Sequence, residues 1–191
     1  VVSSTIQVSI RAFIFFLIYV FGIWLYSHKL KKLSIIGNIT SAILTITPIF
    51  AVFLYYKNFQ TVIVFHAVFL FLIITMRELT KDLENIKGDL ALGYKTIPVV
   101  YGEKVSKKML TALSFFTLLP TSVLIANYDI GSMNYFFYLS IILLIVFFLL
   151  LQKAVTKLQY LILHNILKFI LVAGVLSILL IDINLLLNRI L

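Results

Sequence analysis

The chain contains no cysteine, which excludes disulfides, thiolate metal sites and a cysteine nucleophile. Proline is limited to 3 residues and glycine to 7 among 191, so collagen-like and low-complexity classes fall away, and no repeat period suggests a solenoid. Charge is also scarce. Asp, Glu, Lys and Arg make up 12% of the residues, about half the roughly 25% of ordinary globular domains, which leaves too little polar surface to face water on every side. Acids are the rarest of all, 7 against 16 basic residues. The net charge of +9 would suit nucleic acid if the cations lined one face, but they are dispersed between apolar runs, and no nucleic-acid partner is expected. The sequence opens on Val1 without the basic-then-apolar pattern of a signal peptide.

What is abundant is apolar: 62% of the residues are hydrophobic. A helix needs about 20 residues to cross a hydrocarbon core of roughly 30 Å. Runs near that length occur at 12–28, 33–56, 58–76, 109–128, 130–152 and approximately 160–187, the last carrying Lys168 and Asp182. These runs are apolar on every face, unlike the alternating strands of a membrane barrel. The expected fold is therefore all-α, a polytopic transmembrane helix bundle of about six spans forming a single domain over 1–191. Its basic residues are unevenly placed. Twelve of the sixteen fall in alternate connections: Lys29, Lys31 and Lys32; Arg77, Lys81, Lys87, Lys95, Lys104, Lys107 and Lys108; Lys153 and Lys157. By the positive-inside rule the loops 27–34, 77–108 and 153–159 are cytoplasmic and both ends of the chain lie outside. In a bacterium or archaeon this means the plasma (inner) membrane.

Four of the seven acids, Glu78, Asp82, Glu84 and Asp89, lie within twelve positions of the loop 77–108. If the third span continues as a helix, Glu78, Asp82, Asn85 and Asp89 fall within about 60° of one another, while Glu84 points away. Carboxylates on one stripe at the mouth of a bundle suit Mg²⁺, which takes one or two of them plus water and phosphate oxygens. Arg77, Lys81 and Lys95 would complement a diphosphate. The competing reading is a solvated loop whose charges pair locally, as Glu84 and Lys87 do at i, i+3, and Gly88 is a candidate end for the helix.

The run R-E-x-x-K-D-x-E-x-x-x-G-D-x-x-x-G-x-K-T-x-P-x-x-Y-G, Arg77 to Gly102, resembles the second aspartate-rich motif of the UbiA superfamily of intramembrane prenyltransferases. It is most similar to the branch of digeranylgeranylglyceryl phosphate synthases. Y-S-x-K-L-K (Tyr26 to Lys31) followed by Gly37-Asn38 resembles the loop between the fourth and fifth helices of that family. The resemblance implies a nine-helix fold, of which the six spans are helices four to nine. It implies Mg²⁺-dependent transfer of a polyprenyl group from a prenyl diphosphate to an acceptor, a geranylgeranylglyceryl phosphate-like lipid or a quinone precursor. Glu78, Asp82 and Asp89 match the second motif as catalytic metal ligands; Lys29, Lys32, Asn38, Arg77, Lys81 and Lys95 are the expected substrate contacts. A first motif of the N-D-x-x-D-x-x-x-D type has no counterpart, so the chain is expected to be N-terminally truncated by three helices and inactive alone.

An allylic cation can be stabilised by aromatic faces, for which Tyr19, Trp24, Tyr26, Phe65 and Phe69 lie at suitable depths, although most rings in a membrane protein serve packing or the interface. His66 is expected in an interhelical hydrogen bond, and His164, Asn165 and Lys168 as headgroup-level anchors. Asp182 has no evident partner. Three other classes compete with this reading. A transporter fragment would carry midplane charges or paired helix breakers, whereas Pro48 and Pro120 are isolated. A CDP-alcohol phosphatidyltransferase would carry D-x-x-D-G-x-x-A-R, which is absent. A non-catalytic, degenerate member of the same fold remains the alternative.

Overall fold

The computed structural model describes residues 10–55, 60–128 and 130–177. Lys57, Asp129, Asp182 and the end of the sixth predicted span lie outside the described residues. Among the described residues seven helices follow one another: α1 (Ile10–His28), α2 (Ser34–Tyr55), α3 (Thr61–Glu84), α4 (Ile86–Ala91), α5 (Ile97–Asn127), α6 (Asn134–Lys153) and α7 (Lys157–Ser177), with 3₁₀ turns at Leu30–Lys32 and Gly131–Met133. Among the described residues six helices are long and apolar enough to cross a membrane. The all-α, six-span expectation is met.

The boundaries differ at the loop 77–108. Most of it is helical: α3 runs to Glu84, α4 occupies 86–91 and α5 begins at Ile97. The segment is polar, but its residues are mostly good helix formers, and Leu79 and Leu83 continue the buried stripe of Phe69, Ile73 and Met76 along α3 at helical spacing. Hydropathy ended the span at Met76, while helix geometry carries it two turns further.

Helix α3 is the hub, packed against α2, α5 and α7. Its stripe meets Leu110 and Leu124 of α5, Phe137, Leu144 and Phe147 of α6, and Tyr160, Leu163 and Leu167 of α7 in one cluster. Phe69 sits edge-on to Phe136 and Phe137. The lipid-facing sides keep large apolar residues exposed, such as Phe115, Phe116 and Leu119 on α5 and Ile142 and Leu149 on α6. Because lipid is as apolar as leucine, close packing and small residues hold such helices together. Ser106, Ser114, Thr117 and Thr121 line the buried side of α5, each returning its hydroxyl proton to the carbonyl four residues back, and Thr117 also donates to Met76 Sδ at 3.7 Å. No hydroxyl on that face is left unpaired in a medium where this is costly.

The three basic connections meet at one end of the bundle. Lys95 N donates to Lys32 O at 3.0 Å, Lys107 Nζ to Ala154 O, and Tyr160 Oη to Glu103 Oε1 at 2.7 Å. Within α5 the backbone breaks from helical geometry at Gly102, with φ 83° and ψ 164°, a conformation essentially reserved for glycine. That kink re-aims the first turn of α5, which carries Pro98 at its N-terminus, away from the membrane-crossing remainder.

Candidate functional site

The site is built where the start of α2 meets the end of α3. Gly37 lies buried in the first turn of α2, and a Cβ there would stand 2.9 Å from the Leu30 carbonyl oxygen. Only a residue without a side chain lets the 3₁₀ turn lie against α2 this closely. Next to it, Asn38 is 8% exposed and lies beside Asp82 of α3. The Gly37-Asn38 pair singled out in the sequence thus has a packing cause: glycine admits the turn and delivers the amide to the carboxylate.

The acids do not form the single stripe expected of a continuous helix. Helix α3 closes at Asn85 (φ −112°, ψ 19°), whose side-chain Nδ2 donates to Lys81 O at 3.1 Å, so side chain and backbone compete for the same carbonyl. Asp89 then sits on the separate helix α4. That helix ends not at Gly88 but at Gly93 (φ 68°), where Gly93 N donates to Leu90 O at 3.1 Å and Tyr94 N to Asp89 O at 2.8 Å. This is the Schellman cap, with glycine in the left-handed position.

Glu78 is 5% exposed and fully engaged: Arg77 Nη2 donates to Oε1 at 2.6 Å and Lys81 Nζ to Oε2 at 3.1 Å. Asp82 differs, since its Oδ2 is buried without a hydrogen-bond partner, and Asp89 and Glu78 are close enough to act on its charge. Asp89 is near Thr96, Lys81 and Lys31; burial pushes its carboxyl above the usual carboxylate range, against the opposing pull of those neighbours. Asn38 and Thr96 are buried at this cluster too, Asn38 beside Asp82 and Thr96 beside Asp89, whereas Arg77 lies on the side of α3 toward His164. Two carboxylates, an amide and a hydroxyl are thus brought together where the start of α2, the end of α3 and the α4–α5 connection meet.

Among the described residues no three His, Cys, Asp or Glu side chains come together as a metal-binding group. Asp82 with its neighbour Asp89 offers one or two hard oxygen donors, the number Mg²⁺ takes from protein when phosphate and water complete its shell. Glu78, already neutralised by two cations, is less suited to that shell than the sequence suggested.

The remaining candidates divide. Lys29, Lys32 and Lys95 have exposed side chains, and Lys32 and Lys95 join the site through their backbones. Lys31, absent from the candidates drawn from the sequence, joins Lys81 in facing it: its ammonium lies 5.6 Å from the Tyr94 ring centroid and both cations act on Asp89. Glu84 points away from Asp82, as expected, and meets His164 of α7 at 3.1 Å. His164 is accordingly a buried partner of α3 rather than a headgroup anchor. His66 donates through Nδ1 to Val62 O of its own helix at 2.8 Å and touches Phe137 edge-on, so no interhelical hydrogen bond forms there. Asn165 lines an open groove between α6 and α7 with Leu143, Ile162, Ile166 and Phe169. Of the rings considered for cation stabilisation, Phe69 is enclosed at 1% exposure, and Tyr19 donates to Leu44 O at 3.2 Å.

Fold and site define a multi-pass integral membrane protein with carboxylates, amide and cations gathered at one end of its bundle. The model of the UbiA prenyltransferase family matches residues 1–161. The chain belongs to that family. It is 39% identical over 114 residues to the digeranylgeranylglyceryl phosphate synthase of Pyrococcus furiosus, covering 59% of this chain and 40% of that protein. The synthase of the same name from Methanobrevibacter smithii is 34% identical over 125 residues, 62% of this chain and 42% of that protein, and the one from Methanopyrus kandleri 37% identical over 103 residues, 51% and 37%. The chain thus spans about 40% of the length of the curated relatives it matches. No solved structure matches.

Proposed function

We propose that this chain supplies the diphosphate-binding end of an intramembrane prenyltransferase that transfers a polyprenyl group from its diphosphate to a glycerophosphate-type lipid. The observation that carries this reading is the meeting of Asp82 and its neighbour Asn38 with Asp89 and its neighbour Thr96 where the turn after α1 meets the α4–α5 connection. The names of the relatives support the acceptor class, and the positive-inside pattern supports a cytoplasmic site.

In this reading Asp82 and Asp89 hold Mg²⁺, which when bound neutralises phosphate oxygens. Arg77 serves by pairing with Glu78, from the side of α3 toward His164. Asn38 and Thr96 donate from the two sides, and Lys31 and Lys81 add positive charge. Donors fixed before the reaction stabilise the charge that develops on the leaving group. The allylic C–O bond breaks with its electron pair moving to pyrophosphate, and the acceptor hydroxyl forms the new C–O bond as its proton departs. The apolar bundle keeps water from capturing the cation.

The test is Asp82→Asn in membranes containing the intact protein, with Mg²⁺ titrated against geranylgeranyl diphosphate. Loss of turnover by about 100-fold or more is expected for one removed electrostatic group of this kind. Unchanged transfer at saturating Mg²⁺ removes Asp82 from the mechanism.

A further inference from the structure

Lys31 lies on an exposed 3₁₀ turn, where a lysine side chain would ordinarily sample many rotamers and lose that freedom when it is ordered. Here the turn and the side chain are both held. The backbone is tied by Lys95 N to Lys32 O at 3.0 Å, and the ammonium lies 5.6 Å from the centre of the Tyr94 ring, inside the roughly 6 Å range of a cation–π contact. The backbone that carries the ring is itself fixed, because the Schellman cap at Gly93 sets the direction of the chain and Tyr94 N is bound to Asp89 O at 2.8 Å. One short segment, Asp89 to Lys95, therefore contributes an acid, the ring that seats a lysine, and the N–H that anchors the lysine's turn.

We propose that Tyr94 is a positioning residue that holds the Lys31 ammonium over its ring so that the charge is presented to the prenyl diphosphate. The proposal rests on reading this end of the bundle as the diphosphate site. Tyr94 need not touch the substrate; it acts through Lys31, lowering the disorder that binding would otherwise have to remove. The contribution is to donor binding rather than to the chemical step.

The experiment compares Tyr94→Leu, Tyr94→Phe, Lys31→Gln and the Tyr94→Leu/Lys31→Gln double variant of the intact protein in membranes. Geranylgeranyl diphosphate is the donor and a geranylgeranylglyceryl phosphate lipid the acceptor. The KM for the donor is expected to rise about two- to fivefold in Tyr94→Leu, the range for an exposed cation–π contact, with kcat and the acceptor KM moving less than twofold. Tyr94→Phe regains the donor KM, and the double variant is no worse than Lys31→Gln. Leu and Phe variants that behave alike, or losses that multiply in the double variant, overturn the proposal. A second readout is independent of turnover: the ¹³C signal of reductively methylated Lys31 is expected to show a ring-current shift that Tyr94→Phe keeps and Tyr94→Leu abolishes. An unshifted signal in the parent protein overturns the seating. Asp82→Asn run in parallel separates the two levels: if it retains turnover, the functional reading falls while the ring-current result still decides whether Tyr94 seats Lys31.

Discussion

Two glycines near the site meet the same open surroundings but differ in backbone, and substituting each by alanine isolates the backbone term. A Cβ at Gly88 or at Gly102 finds no other atom within 4 Å, so packing clashes contribute to neither variant. Gly88 lies within α4, where alanine is favoured over glycine by up to about 1 kcal/mol. Gly102, at φ 83° and ψ 164°, occupies a region where a side chain costs about 1–3 kcal/mol, partly offset by about 0.4–1 kcal/mol from stiffening the unfolded chain. Gly88→Ala is expected to stabilise and Gly102→Ala to destabilise, a separation of about 1–3 kcal/mol, or about 2–12 °C in midpoint for a chain of this size. The assay is thermal unfolding of both variants and the parent in the same detergent at the same protein concentration, followed by circular dichroism. Equal midpoints, or a Gly102→Ala protein at or above the parent, would refute the claim that glycine is required for the kink.

Removing the Asp89 charge tests its environment. Its pKa is raised in the folded protein, led by burial, so the fold is favoured with the carboxyl protonated and loses that advantage as pH rises through the raised value. Asp89→Asn is expected to raise the unfolding midpoint at pH 7, by an amount that shrinks below about pH 4 where the unfolded carboxyl is also protonated; the midpoint measured across that range decides, and a constant or reversed difference counts against it. The Glu84–His164 contact joins α3 to α7 with side chains 12% and 11% exposed. Glu84→Leu leaves His164 unpaired and is expected to cost about 1–3 kcal/mol, read as a lower midpoint, whereas Glu84→Leu with His164→Leu recovers most of the loss; a double variant as unstable as the single one contradicts this account.

Much of the fold was legible because long apolar runs admit few solutions in a bilayer. The six spans and the meeting of alternate loops at one end follow from hydropathy and from the distribution of lysines. Helix ends were not legible in the same way. The polar residues 77–84 are helical because propensity and the Leu79–Leu83 stripe outrank hydropathy, and the break at Asn85 arises from a side chain competing for the Lys81 carbonyl. That break puts Asp89 on another helix and dissolves the stripe on which three equivalent carboxylates depended. Lys31 was passed over in favour of Lys29 and Lys32 because three lysines in four positions look alike in sequence; only the tie between Lys95 and Lys32 selects which one faces Asp89. The G-Y step at Gly93-Tyr94 was the available signal, since glycine followed by an aromatic after a short helix marks a cap and the direction of the next side chain.

The hydrogen bond from Lys95 to Lys32 encloses α2 and α3 between its two ends. It cannot form until both helices have been threaded across the bilayer and have returned the chain to the side it left. The site is thus a product of correct insertion, carried by neither segment alone. If α2 failed to insert and slipped along the surface instead, the two loops would lie on opposite faces of the membrane. An error of topology during synthesis would therefore abolish the site with every residue intact.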